Sequence, residues 1–148
     1  MLLSVIVPCF NEEKTIELIL NKIDKTSFKN KEIIVVNDGS SDNTKEILDK
    51  IEKKLNSEIK IINHNKNLGK GAAINTAINK ISGDIAIIQD ADLEYDPNDL
   101  IPMIKLIKDN KADVVYGSRF RGNGPVRANS FLNKFSNFII SSLTNIFT

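Results

Sequence analysis

The chain has 148 residues, 41% of them hydrophobic and 26% charged, with 20 basic and 19 acidic side chains. One ordinary globular domain with its own core is expected from that balance, and a net charge of +1 gives no reason to expect nucleic acid as a partner. The single Cys9 excludes an internal disulfide and fits a reducing, cytoplasmic setting. Met1–Pro8 lacks a basic lead-in and breaks at Pro8, so no secretory signal is expected; no apolar run reaches the ~20 residues that span a bilayer.

In chain order, short β-branched runs alternate with segments of helical period. Ser4–Val7 reads as a first strand and Glu12–Lys25 as a first helix. Glu32–Val36 is the second strand and Asn43–Leu55 the second helix. There Ile47, Leu48, Ile51 and Leu55 form one apolar stripe, and Asn43 with Glu46 has capping-box spacing. Ile59–Ile62, a helix over Gly71–Ile81, and Ile85–Ile88 come next. A helix over Pro97–Asp109, capped by Asp96 with proline at its first position, leads to a fifth strand, Asp113–Tyr116. Two segments are expected: residues 1–130 as the ligand-binding domain and 131–148 as an apolar helix.

Five strands joined by four helices imply an α/β fold, Rossmann-like, with a mainly parallel sheet and helices on both faces. Ligands of such sheets bind beyond the carboxyl ends of the strands. That rule gathers Asn11-Glu12, Asp38-Gly39-Ser40, the stretch from His64 to Gly71, Asp90-Ala91-Asp92 and Gly117-Ser118-Arg119 on one edge.

On extended backbone, Asp90 and Asp92 point the same way, about 7 Å apart. Their repulsion costs roughly 2 kcal/mol at an effective dielectric near ~20. Mg²⁺ or Mn²⁺ would turn that repulsion into binding, leaving other coordination positions to water and substrate phosphates. The plainer alternative is a polar turn after a strand.

Asp38 suits an Asx-type turn, but Asp42 and Asn43 can cap the next helix, which leaves Asp38 free to accept from a ribose or base. Asn67-Leu68-Gly69-Lys70-Gly71 has the flexible glycines of an anion-cradling loop at a helix start, although a merely surface lysine fits as well. His64 has no partner spacing that suggests a metal ligand. All three arginines, Arg119, Arg121 and Arg127, fall in one short stretch, and no Asp or Glu follows Asp113. Bidentate phosphate recognition and a solvated basic loop both explain that cluster.

Taken in order, Val5-Ile6-Val7-Pro8-Cys9-Phe10-Asn11-Glu12, Val36-Asn37-Asp38-Gly39-Ser40-Ser41-Asp42, Asn67-Leu68-Gly69-Lys70-Gly71, Asp90-Ala91-Asp92-Leu93-Glu94 and Gly117-Ser118-Arg119-Phe120 resemble the motifs of family 2 glycosyltransferases of the GT-A fold. Within that family they look like the dolichyl- or polyprenyl-phosphate sugar transferase branch. The resemblance covers essentially the whole chain.

It implies an inverting, metal-dependent transfer from a GDP- or UDP-linked sugar, with a lipid phosphate as the acceptor and a peripheral contact at the inner face of the membrane. Asp38 would meet the nucleoside, with Pro8 and Glu12 shaping the base pocket. Asp90 and Asp92 would be the D-x-D pair holding Mg²⁺ or Mn²⁺, with Glu94 also reaching the metal. Arg119 would meet a phosphate and Arg127 would lie near the acceptor. Pro8, Asn11, Glu12, Asp38, Gly39, Lys70, Asp90, Arg119 and Arg127 are thus the expected substrate-binding residues, and Asp92 and Arg119 the expected catalytic ones.

Family members usually continue past this point, into the part that supplies a carboxylate base for hydroxyl acceptors. A phosphate acceptor is already an anion and needs no such base. The alternative is a truncated, catalytically inactive nucleotide-binding module.

Overall fold

The structure, a computed structural model, describes residues 1–117. Four strands, β1 (Leu3–Cys9), β2 (Lys31–Asn37), β3 (Glu58–Asn63) and β4 (Ile85–Ile88), form one sheet in the order β3-β2-β1-β4. Every neighbouring pair is parallel, with Val5 opposite Ile33 and Ile87, and Ile33 opposite Ile59. The crossovers are α1 (Ile16–Asp24), α2 (Thr44–Ile51) and α3 (Lys70–Ile78); α4 (Leu100–Lys108) follows a short 3-10 turn, Pro97–Asp99.

The core explains why the central strands are apolar throughout. Alternate residues of a strand face opposite sides of the sheet, and β1 is buried on both. Val5, Val7, Ile33 and Val35 pack with Ile16, Ile19, Leu20 and Ile23 of α1, Leu48 and Ile51 of α2, and Ile104 of α4. Ile6, Ile34 and Val36 pack on the other face against Ala73 and Ala77 of α3. Small alanines let α3 lie close over the carboxyl half of β1 and β2. That placement brings the start of α3 over the ligand edge.

Three sequence expectations change. Asp113–Tyr116 is not a strand: Val114 is 65% and Tyr116 90% exposed. A β-branched run pairs when its side chains have a surface to pack on, and among the described residues this one has none. Of the two residues expected to cap α2, only Asp42 does so: its Oδ1 accepts from Thr44 N (3.0 Å) and Thr44 Oγ1 (2.5 Å). Asn43 instead turns its amide to Glu13 Oε2, at 2.8 Å, and makes no cap bond. The first helix starts at Ile16, four residues late, because Asn11 takes a positive φ of 56° and residues 12–15 form a turn. Asp96 caps as expected, accepting from Asn98 N at 2.9 Å, though onto the 3-10 turn before α4.

Candidate functional site

The carboxyl ends of β1, β2 and β4 open into a cleft of about 290 Å³. Pro8, Glu12, Asp38, Lys70, Asp90 and Asp92 line it, so six of the residues expected from sequence meet there. Phe10, Asn67 and Ala91, which the sequence placed in the motifs without a role of their own, also line it. Phe10 offers the clearest missed signal, since it directly follows β1 and keeps a large aromatic ring 44% exposed.

Asn11 and Gly39 serve the walls rather than the cavity. Asn11 Oδ1 accepts from Ser41 N at 2.8 Å, and Ser40 Oγ accepts from Asn11 N at 2.9 Å. These bonds tie the turn after β1 to the loop after β2. Gly39 has φ +69°, and a Cβ on it would lie 2.4 Å from the carbonyl carbon of Lys66. Only glycine lets these two backbones touch.

Asp38 is not free, as the sequence suggested. Its buried carboxylate accepts from Leu68 N (3.0 and 3.2 Å), Gly69 N (2.7 Å) and His64 Nδ1 (2.6 Å). Burial pushes this carboxyl up, but those donors more than offset it and leave it below the ordinary aspartate value. His64 completes the clamp, its Nε2 lying 2.9 Å from Thr76 Oγ1 on α3. The lone histidine is therefore a loop anchor. Together the two residues hold the 64–69 loop, and that loop delivers Lys70.

The acidic loop after β4 also departs from expectation. The chain turns at Ala91-Asp92 and reaches a positive φ of 63° at Leu93, so Asp90 and Asp92 do not share an extended strand. Their repulsion is offset within the chain itself: Lys70 Nζ stands 2.7 Å from Asp90 Oδ1, and Asp92 Oδ1 accepts from Glu94 N at 2.9 Å. Glu94 is exposed and does not line the cleft. Among the described residues no three His, Cys, Asp or Glu side chains converge to hold a metal. A site built on Asp90 and Asp92 alone still fits Mg²⁺ or Mn²⁺, which commonly take one or two carboxylates and complete their shell with water and phosphate oxygens.

Cys9 lies on the floor. Burial first, then Glu12, Asp42 and Asp38, push its thiol up to about 12, which makes it a poor nucleophile near neutral pH. Arg119, Arg127 and the 131–148 segment lie outside the described residues. Among those that are described, no helix is long and apolar enough to cross a membrane.

Four carboxylates and one ammonium line the cleft. This is an open parallel α/β protein with an acidic cleft at the carboxyl ends of its strands. The chain belongs to glycosyl transferase family 2, whose family model matches residues 4–146.

Dolichol-phosphate mannosyltransferase of Pyrococcus furiosus is 34% identical over 135 residues, covering 90% of this chain and 38% of that protein. UDP-N-acetylglucosamine–dolichyl-phosphate N-acetylglucosaminyltransferase of Methanococcus voltae is 31% identical over 157 residues, covering 97% of this chain and 62% of that one. The chain thus spans less than two thirds of the length of these relatives.

Among solved structures, Staphylococcus aureus TarS 1-349 superposes with a TM-score of 0.67 and 30% identity, over 86% of this chain and 39% of that chain. The mannosyltransferase PcManGT of Pyrobaculum calidifontis, in complex with GDP-Man and Mn²⁺, gives a TM-score of 0.61 at 29% identity, over 67% of this chain and 30% of that chain. The fold is GT-A, as the sequence motifs implied.

Proposed function

We propose that this chain forms the donor-binding part of an inverting nucleotide-sugar transferase that uses Mg²⁺ or Mn²⁺. The observation that carries the reading is the convergence of Asp90, Asp92 and Lys70 on a cleft walled by Pro8, Phe10, Glu12 and Asp38. A diphosphate entering an acidic cleft needs a cation. Here a pair of hard oxygen ligands stands beside a largely exposed ammonium, and both can meet phosphate oxygens.

Asp90 and Asp92 would hold the metal, which neutralises charge on the leaving diphosphate when bound. Lys70 would move from Asp90 to a phosphate oxygen, with Arg119 adding a bidentate contact. Phe10 and Pro8 would form the apolar wall for the nucleoside, and Glu12 would accept hydrogen bonds from it. Asp38 would act mainly by holding the 64–69 loop. The acceptor oxygen attacks the anomeric carbon as the bond to the diphosphate breaks. With a lipid phosphate as acceptor, no proton has to be removed.

Support for a UDP or GDP donor comes from TarS, solved in complex with UDP-GlcNAc, and from PcManGT with GDP-Man and Mn²⁺. Support for a polyprenyl or dolichyl phosphate acceptor comes from the names of the two archaeal relatives. Such an acceptor would place the protein in the cytoplasm at the inner face of the membrane, with Arg127 and the 131–148 segment toward the lipid.

A second reading is a donor-binding module that binds nucleotide without transferring sugar. Calorimetry of UDP, GDP and their sugars, with and without Mn²⁺, tests binding. Adding a polyprenyl phosphate and following sugar transfer then separates the two readings. Asp92→Asn should abolish the Mn²⁺-dependent part of the affinity and leave the melting temperature unchanged. Equal Mn²⁺-dependent affinity in that variant removes Asp92 from the site.

A further inference from the structure

Gln89 joins β4 to the acidic loop. Its backbone N–H still donates to Ile6 O at 2.9 Å, so the residue is held against β1. Its side chain is 1% exposed. Nε2 donates to Asp90 O at 3.2 Å and to Tyr95 O at 3.3 Å, the two ends of the loop that carries Asp92. The other half of the amide, Oε1, is buried and accepts no hydrogen bond among the described residues.

A buried carbonyl oxygen without a donor is unfavourable, and each such group in a folded protein calls for an explanation. Methionine would fill the same space with no polar atom to bury. The unmet oxygen costs about as much as the two Nε2 bonds return, so fold stability gives little net reason for a glutamine here. What the amide does, and methionine cannot, is bridge the ends of the acidic loop. Residues 90–95 have no strand or helix ladder to hold them, and Leu93 sits at a positive φ of 63°. The contact from Glu94 N to Asp92 Oδ1 closes an inner turn, and the Gln89 amide closes the outer one.

We propose that Gln89 is a positioning residue: by bridging Asp90 O and Tyr95 O, it sets how Asp90 and Asp92 are presented to a metal-bound nucleoside diphosphate. This role rests on the donor-binding function proposed above.

The test compares the full chain with its Gln89→Met variant, by thermal melting and by calorimetry of UDP and GDP with and without Mn²⁺. Gln89→Met should melt close to the parent temperature, because the two lost Nε2 bonds and the removed unmet oxygen nearly cancel. Its Mn²⁺-dependent affinity should fall at least about tenfold, the usual effect of losing a group that orients a metal ligand, while metal-free nucleotide affinity stays the same. A merely structural glutamine gives the reverse, a lower melting temperature with Mn²⁺-dependent affinity intact, and that result overturns the proposal. So does a Gln89→Met chain that does not fold, because a residue that only positions the loop can be replaced by methionine. Gln89→Glu keeps the size but lacks the amide donor, so parent-like Mn²⁺-dependent affinity in that variant also overturns it. A parent without Mn²⁺-dependent affinity defeats the donor reading and this role with it. A parent that has that affinity, equalled by Gln89→Met, defeats only the role of Gln89.

Discussion

Lys70 Nζ stands 2.7 Å from Asp90 Oδ1, joining the start of α3 to the loop after β4. Lys70 is 59% exposed on its side chain, so the pair contributes little to stability, roughly 0–1 kcal/mol. Its position matters more. On the proposed reading the ammonium occupies an oxygen that the metal would use, so the two cations would compete. Lys70→Met should therefore tighten nucleotide-free Mn²⁺ binding by about fivefold, the equivalent of roughly 1 kcal/mol. The same variant should weaken nucleoside diphosphate binding, because a phosphate partner is lost. Titration followed by the Mn²⁺ paramagnetic signal reads the first effect and calorimetry the second. If nucleotide-free Mn²⁺ affinity is unchanged or weaker, Lys70 is not a stand-in for the ion.

Gly39→Ala should disrupt the wall of the cleft. The new Cβ would sit 2.4 Å from Lys66 C and 2.6 Å from Asn67 N, both backbone atoms that cannot swing aside. The positive φ of 69° adds about 1–2 kcal/mol for any residue with a Cβ. A loss of about 2–4 kcal/mol is expected in urea unfolding. Nucleotide affinity should fall as well, because the displaced loop carries Lys70.

Asp38→Asn tests the clamp on the same loop. Aspartate offers acceptors on both oxygens, to Leu68 N and His64 on one side and to Gly69 N on the other. Asparagine keeps one oxygen and turns an N–H₂ toward a backbone or imidazole donor. A buried donor facing another donor is left unsatisfied, which costs about 1–3 kcal/mol. The melting temperature should drop, and amide exchange at Leu68 and Gly69 should speed up. Unchanged exchange at those two amides would count against the clamp.

The sheet and the site were legible in the sequence to different depths. β1 to β4 could be read because apolar runs between helical stripes leave little choice of architecture, and the rule that ligands bind beyond the carboxyl ends of the strands then placed Asp38, Lys70, Asp90 and Asp92 together. What the sequence concealed was how carboxylates are satisfied. Asp38 looked free because its donors, Leu68 N and Gly69 N, are backbone groups some thirty residues away, invisible to side-chain pattern. The Lys70–Asp90 pair was hidden for the same reason: it forms only once α3 lies across β1 and β2. Asp113–Tyr116 misled because β propensity reports a packing surface that the run itself does not supply.

Glu32 predicts how the fold responds to acid. It lies near the amino end of β2, away from the cleft, and is 1% exposed. Its carboxylate accepts from Ser4 Oγ (2.6 Å), Lys60 Nζ (2.8 Å), Ser82 N (2.5 Å) and Gly83 N (3.2 Å), joining three strands and the turn before β4. Burial alone would raise its pKa, but Lys60, Ser4 and Ser82 lower it from 4.5 to about 2. A carboxyl depressed by folding stabilises the native state fully above its unfolded pKa. That contribution is lost as pH falls from about 4.5 toward about 2, and it is on the order of 3 kcal/mol. Urea unfolding from pH 7 to pH 2 should show this loss in the parent. Glu32→Gln should be less stable at pH 7, since the amide cannot match an ionised acceptor to Lys60, and its curve should be flatter below pH 4.5. Because the cleft lies at the opposite ends of the strands, nucleotide affinity at neutral pH should not change in the folded variant. Parallel pH profiles for parent and variant would mean that the Glu32 carboxylate is not held ionised by its neighbours.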